Sequence, residues 1–170
     1  MAEDKQVLYD LRTTYNGPLI VEDFYAEVDN WIKEKGFEKE PKKKMEHVTK
    51  HGKNIEWFIE VHRQLDELHN GVIILRAYFD NVKEVIITKH GKKIRVNNAD
   101  VYINIDGFIQ SIVHTSYYQV KPFYYFIKTL IDKYIYNFWT GKYDGQVAVD
   151  CHELFKRIRS FFSAQKNKYE

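Results

Sequence analysis

The pentapeptide Thr-Lys-His-Gly-Lys stands at Thr49–Lys53 and again at Thr88–Lys92. A two-residue His-Gly loop supplies the positive φ that a tight hairpin turn needs, and glycine supplies it without steric cost. The pairs implied by such a loop can be written out. Around the first, Val48 faces Ile55 on one side of the sheet, while His47 faces Glu56, Met45 faces Phe58 and Lys43 faces Glu60 on the other. Around the second, Ile87 faces Ile94 and Val85 faces Val96. Both registers match apolar with apolar or opposite charges, as cross-strand pairing favours. Beyond the loops the two halves diverge, so the repeat reads as shared turn chemistry and not as a repeat architecture.

Working outward, Val72–Phe79 is apolar on both faces for most of its length, which requires a cover on each side of the sheet. Asp80-Asn81 and Asn97-Asn98 read as turns flanking the second hairpin. Val101, Ile103 and Ile105 then alternate with Tyr102, Asn104 and Asp106 in a last long strand, where Gly107 suggests a bulge or bend before a continuation from Ile109 to Val113. On the N-terminal side, Lys5–Tyr15 reads as a first strand that ends at the turn signal Asn16-Gly17-Pro18. Phe24, Val28, Trp31 and Ile32 recur at helical spacing, and Gly36-Phe37 is a left-handed helix stop with its apolar contact. Glu38–Lys44 is a charged connection in which Lys42, Lys43 and Lys44 form a solvated strand entrance.

The C-terminal third predicts two helices. Pro122 suits a first helical position, and Phe123, Phe126, Ile127, Leu130, Ile131, Tyr134 and Phe138 follow on one face of an unusually aromatic helix. A loop with Gly141 and Gly145 leads to an amphipathic helix carrying Cys151, Leu154, Phe155, Ile158, Phe161 and Phe162, and 165–170 reads as a frayed polar tail. The expected fold is one α+β domain over 1–170, a curved antiparallel sheet of about six or seven strands packed on the aromatic helix.

The order strand, helix, antiparallel strands, long helix resembles the helix-grip superfamily, which includes START-type lipid-transfer proteins and polyketide cyclases. One helix stands after the first strand here, where that family usually has two short ones. The sequence is also similar to small archaeal proteins with a Gly-Lys-Lys hairpin before a long final strand, here Gly91-Lys92-Lys93 and Ala99–Gly107. That second likeness implies no activity. The first implies a cavity between sheet and helix.

Composition narrows the function. Apolar residues make up 44% and charged residues 29%, which excludes wholesale disorder. The net charge of +2 disfavours a dedicated nucleic-acid binder, since those carry a clear basic excess. The basic runs Lys42–Lys44, Lys89–Arg95 and Lys156–Arg159 are short and interleaved with inward-facing apolar positions. A lone Cys151 offers no internal disulfide, and Met1–Leu11 has no apolar signal core, so a soluble cytoplasmic protein is expected. No Gly-rich phosphate loop, nucleophile elbow or paired-cysteine zinc pattern occurs.

His47 and His62 share a sheet face with Glu56 and Glu60, a grouping with metal-binding or proton-transfer character. Glu56 and Glu60 lie roughly 13 Å apart along one strand at about 3.3 Å per residue, too far to share an ion. Such cross-strand pairs are also ordinary on a solvated face, so no catalytic residue, metal or cofactor is expected. Cys151 and His152 point in different directions on a helix, which leaves Cys151 as a buried inert thiol.

The aromatic content of 16% joins the topology in favouring a non-enzymatic binding domain with a pocket for an apolar or amphipathic small molecule between sheet and aromatic helix. Its expected lining is Trp57, Ile59, Ile103, Ile105, Phe126, Ile127 and Leu130. The alternatives are a protein-interaction module, including a homodimer built on Val72–Phe79, and a nucleic-acid-binding domain, which is the less favoured.

Overall fold

The computed structural model describes residues 2–112 and 137–170, with side chains described for 4–111 and 141–170. It shows an α+β arrangement with five antiparallel strands: β1 (Ala2–Leu19), β2 (Glu38–Thr49), β3 (Gly52–Gln64), β4 (His69–Lys89) and β5 (Lys92–Ile112). Two helices, α1 (Val21–Lys35) and α2 (Asn137–Tyr169), complete the described residues. The sheet order is β1-β5-β4-β3-β2. The expected aromatic helix from Pro122 lies outside the described residues except for its end, which falls within the start of α2.

Among the described residues five strands stand where six or seven are expected, because residues with turn composition lie inside strands. Asp80-Asn81 does not reverse the chain. Asn81 adopts φ 53°, the register with β5 slips between Asp80 and Lys83, and β4 runs on to its hairpin. Asn97-Asn98 likewise stays inside β5, paired with Glu84 and Lys83. The same holds for Asn16-Gly17-Pro18, which continues β1 opposite Asp100, Ala99 and Asn98. Proline is tolerated there because β1 is an edge strand of the described sheet and Pro18 has no ladder N–H to lose.

The repeated pentapeptide makes two different turns. At the second copy the loop is His90-Gly91, with φ of 51° and 74°, and the register is the one predicted, Ile87 with Ile94 and Val85 with Val96. At the first copy the loop is Lys50-His51, and Val48 pairs Lys53, His47 pairs Asn54 and Met45 pairs Glu56. This register lies two residues from the predicted one, a shift that preserves faces but changes partners. The cause is tertiary. A Cβ on Gly52 would lie 3.0 Å from the Asn81 carbonyl carbon and 3.0 Å from the Val82 oxygen, so Gly52 serves the close approach of β4 instead of the turn.

One face of the sheet is the core. Ile55, Trp57, Ile59 and Val61 of β3, Ile73, Leu75, Ala77 and Phe79 of β4, and Val101, Ile103, Ile105 and Ile109 of β5 are buried with the apolar faces of both helices. α1 buries Val21, Phe24, Val28, Trp31 and Ile32. It ends as predicted: Gly36 (φ 70°) donates to Lys33 O at 3.2 Å, Phe37 donates to Ile32 O at 3.0 Å, and Phe37 stacks on Trp31 at 5.2 Å. This is the Schellman closure with its apolar contact. Arg157 of α2 clamps α1 by donating to Glu27 at 2.6 Å and Glu34 at 2.5 Å.

α2 runs through Gly141 and Gly145, where the sequence predicts a loop, and onward to Tyr169. The buried stripe Val147, Cys151, Leu154, Ile158 and Phe162 outweighs the poor helix propensity of two glycines, each costing about 1 kcal/mol. In the tail, Gln165 is buried and accepts from the Ile20 N–H at 3.3 Å, ahead of α1.

Gly107 makes no bulge against β4, with which β5 keeps register from Ser111 to Asp100. The register slips occur in β1, between Gln6 and Leu8 and between Leu8 and Leu11. Gly107 is instead the point of closest helix approach, since a Cβ there would lie 2.7 Å from Cys151 Sγ and 3.1 Å from Val147 Cγ1. Gly107→Ala is therefore expected to destabilise the protein by roughly 1–3 kcal/mol in urea unfolding, through overpacking. Gly145 behaves oppositely, because a Cβ added there would meet nothing within 4 Å. Gly145→Ala is expected to stabilise by about 0.5–1 kcal/mol.

Candidate functional site

Two features of the described residues have the makings of a site, one on each face of the sheet. The first is a cleft of about 320 Å³ between the start of α1 and residues of β2, β3, β4 and β5. The Asn81 bulge builds it. By inserting one residue it turns Val82 back toward the helix side, beside Ile55 of β3, where Val21 of α1 completes an apolar floor. Charged groups form the rim: Glu22 from α1, Lys44 and Glu46 from β2, Lys53 from β3 and Glu84 from β4.

Tyr25 stands in the wall, one helical turn after Val21. Its ring packs on Trp57 at 4.6 Å, and Lys44 Nζ lies 4.8 Å from its centroid. Its hydroxyl is shut away from solvent and has no hydrogen-bond partner among the described residues. Burial pushes the phenol up to about 12, with the Glu46 and Glu22 carboxylates adding to the rise. It is therefore a neutral donor at any physiological pH. Glu46 pairs with Lys53, and that hydrogen bond holds its carboxyl below the usual carboxylate range.

Of the residues expected to line a pocket, Trp57, Ile59, Ile103 and Ile105 all lie in the packed core, between 0% and 5% exposed. Trp57 is the one that adjoins the cleft, through its contact with Tyr25. Phe126, Ile127 and Leu130 lie outside the described residues. The lining residues that sequence reasoning missed carried little signal, because Lys44, Glu46 and Glu84 look like ordinary outward charges until the bulge and the turn fix where they point.

The second feature is the sheet face opposite the helices. A row of rings crosses it, Phe58 against Tyr78 at 5.3 Å and Tyr78 against Tyr102 at 5.9 Å. Beside the rings, Arg76 donates to Asn104 Oδ1 at 2.9 Å and pairs with Asp106. Asp106 also accepts the Asp10 backbone N–H at 2.7 Å, and Asp10 sits in the left-handed region (φ 59°) at a β1 irregularity. Four cations of this face are engaged by carboxylates: Lys42 by Glu40, Lys43 by Glu56, Arg76 by Asp106 and Arg12 by Asp10.

At the β2 end of this face Glu40, Glu60 and His62 converge, each offering a ligand atom within 4.8 Å of the others. The expected partner His47 is elsewhere, opposite Asn54, and Glu56 is taken by Lys43. Glu40 escapes a sequence reading because Glu38–Lys44 has the composition of a connection. It is strand, with a register slip between Pro41 and Lys43 that places Glu40 directly opposite Glu60. Pro41 is the available signal, since proline inside a strand pattern marks an edge or a bulge. Hydrogen bonding and charge from Lys42 hold the Glu40 carboxyl below its usual range.

Cys151 contributes no chemistry. It is fully buried, and burial pushes its thiol up to about 12, aided by Asp150 and Asp106. Because the thiolate is the reactive species, the native protein at pH 8 is expected to resist iodoacetamide and to be alkylated only after unfolding, as read by intact mass. Rapid modification of folded protein would contradict this. No helix of the described residues is long and apolar enough to cross a membrane. No protein-family model and no curated protein matches this sequence.

Proposed function

We propose that this chain is a non-enzymatic binding domain that takes a small amphipathic ligand in the cleft between α1 and the sheet. The observation that carries the reading is the Tyr25 hydroxyl, buried and without a partner among the described residues, beside an apolar floor. Buried polar groups are nearly always satisfied, so a ligand that displaces the side chains closing over this hydroxyl and supplies the missing bond would account for the orphan. The cleft volume lies at the lower end of small-molecule sites, and its lining joins three aliphatic residues to a charged rim. The apolar body of the ligand would rest on Val21, Ile55 and Val82, and its polar end would meet Tyr25 and the charged rim. An enzyme reading has less support, because no nucleophile, base and stabilising group come together among the described residues of the cleft.

Tyr25→Phe separates this reading from a merely structural tyrosine. Removing an unsatisfied hydroxyl is expected to raise stability of the ligand-free protein by about 1 kcal/mol. The same change is expected to weaken retention of medium-chain alcohols, amines and fatty acids in native mass spectra. Absence of any retained mass from such a mixture with the unsubstituted protein would overturn the proposal.

The ring row Phe58, Tyr78 and Tyr102 favours a second reading, a protein-interaction face, since tyrosine, phenylalanine and arginine are enriched at interfaces. Light scattering that finds only monomer at high concentration would remove its homodimeric form.

A further inference from the structure

Glu40 and Glu60 face each other across β2 and β3, and His62 follows Glu60 by two residues on the same face of β3. The two carboxylates are arranged between a cation and an imidazole. Lys42 Nζ approaches Glu40 Oε1 at 2.7 Å and Glu60 Oε2 at 3.4 Å. The remaining oxygens turn to the histidine: His62 Nε2 lies 2.9 Å from Glu60 Oε1 and 3.4 Å from Glu40 Oε2. Despite this closeness Nε2 forms no properly directed hydrogen bond, and the atom is closed to solvent. Nε2 is thus held among carboxylate oxygens by close charge contact and not by a directed hydrogen bond.

Metal geometry fits the same separations. Ligand atoms held about 2.0–2.2 Å from a tetrahedral or octahedral ion sit roughly 2.8–3.6 Å from one another. Both His62–carboxylate separations fall in that interval. Charge points the same way. Two carboxylates carry two negative charges, and Lys42 supplies one positive charge from an exposed, flexible stem. A divalent ion would balance the pair in full. An imidazole with two carboxylates suits a first-row transition ion better than calcium or magnesium, which favour all-oxygen shells. The register slip between Pro41 and Lys43 is what brings the set together, and bulges commonly re-aim side chains at functional positions.

We propose that Glu40, Glu60 and His62 form a binding site for a divalent first-row transition-metal ion, with Lys42 as the resident counter-charge that the ion displaces. Displacement makes the site distinguishable from a simple surface ion-pair network. In such a network all four residues support one another, whereas here Lys42 competes with the ligand.

The test is titration of the tag-free full chain with Zn²⁺ by calorimetry and with Co²⁺ by visible absorption, alongside thermal melting to verify folding. Submillimolar binding of one ion per chain is expected. His62→Ala and Glu60→Gln are each expected to weaken it roughly tenfold or more, since even loss of supporting partners costs about that much. Lys42→Met is expected to tighten it several-fold. The proposal is overturned if neither the unsubstituted protein nor Lys42→Met binds either ion at submillimolar concentration. It is equally overturned if binding is unchanged in folded His62→Ala, or if Lys42→Met weakens it.

Discussion

Phe24 is where both helices and the sheet meet, and the rest of the structure depends on that contact. Its ring lies edge-on to Trp57 of β3 at 6.0 Å and Phe79 of β4 at 5.3 Å, and it stacks on Phe162 of α2 at 5.8 Å. Phe162 carries the contact onward by stacking with Tyr15 of β1 at 4.7 Å. A fully buried phenylalanine is worth about 3–5 kcal/mol against truncation, a large share of the stability of an ordinary domain. Because this ring knot fixes α1 on the sheet, it also fixes where Val21 and Tyr25 stand. The cleft is therefore set by the core and not by a loop.

Much of this is legible in the sequence. The face of α1, its Gly36-Phe37 stop, the second hairpin and the buried stripe of α2 follow from periodicity and turn chemistry that tertiary structure reinforces. The misreadings share a cause. Asn16-Gly17-Pro18, Asp80-Asn81 and Asn97-Asn98 have the composition of turns, yet each sits in a strand whose neighbour supplies a ladder. Local preference gives way to pairing. Gly141 and Gly145 yield to packing in the same manner.

The candidate sites are less legible for a related reason. Both depend on places where the two-residue period of a strand is broken, at Asn81 for the cleft and between Pro41 and Lys43 for the carboxylate–imidazole cluster. A bulge changes which side the residues beyond it face, so strand alternation alone does not place Val82 or Glu40. Glu60 and His62 stand out together in the sequence, but their partner is hidden by a one-residue irregularity.

β2 has a consequence of its own. Nearly every one of its residues is exposed, and within the described sheet it is hydrogen-bonded along one flank, to β3. Lysines and Pro41 guard its outer edge against further pairing. Lys44 and Glu46 serve the cleft, whereas Glu40 and Lys42 belong to the opposite face, and the two sets are separated by the register slip. Segments with few buried contacts open at lower free energy than the core, and the largely exposed β2 borders both the cleft and the carboxylate–imidazole cluster. A ligand in the proposed cleft and an ion at the proposed cluster would each add contacts to this same strand, so the opening of β2 is where occupancy of either would be felt.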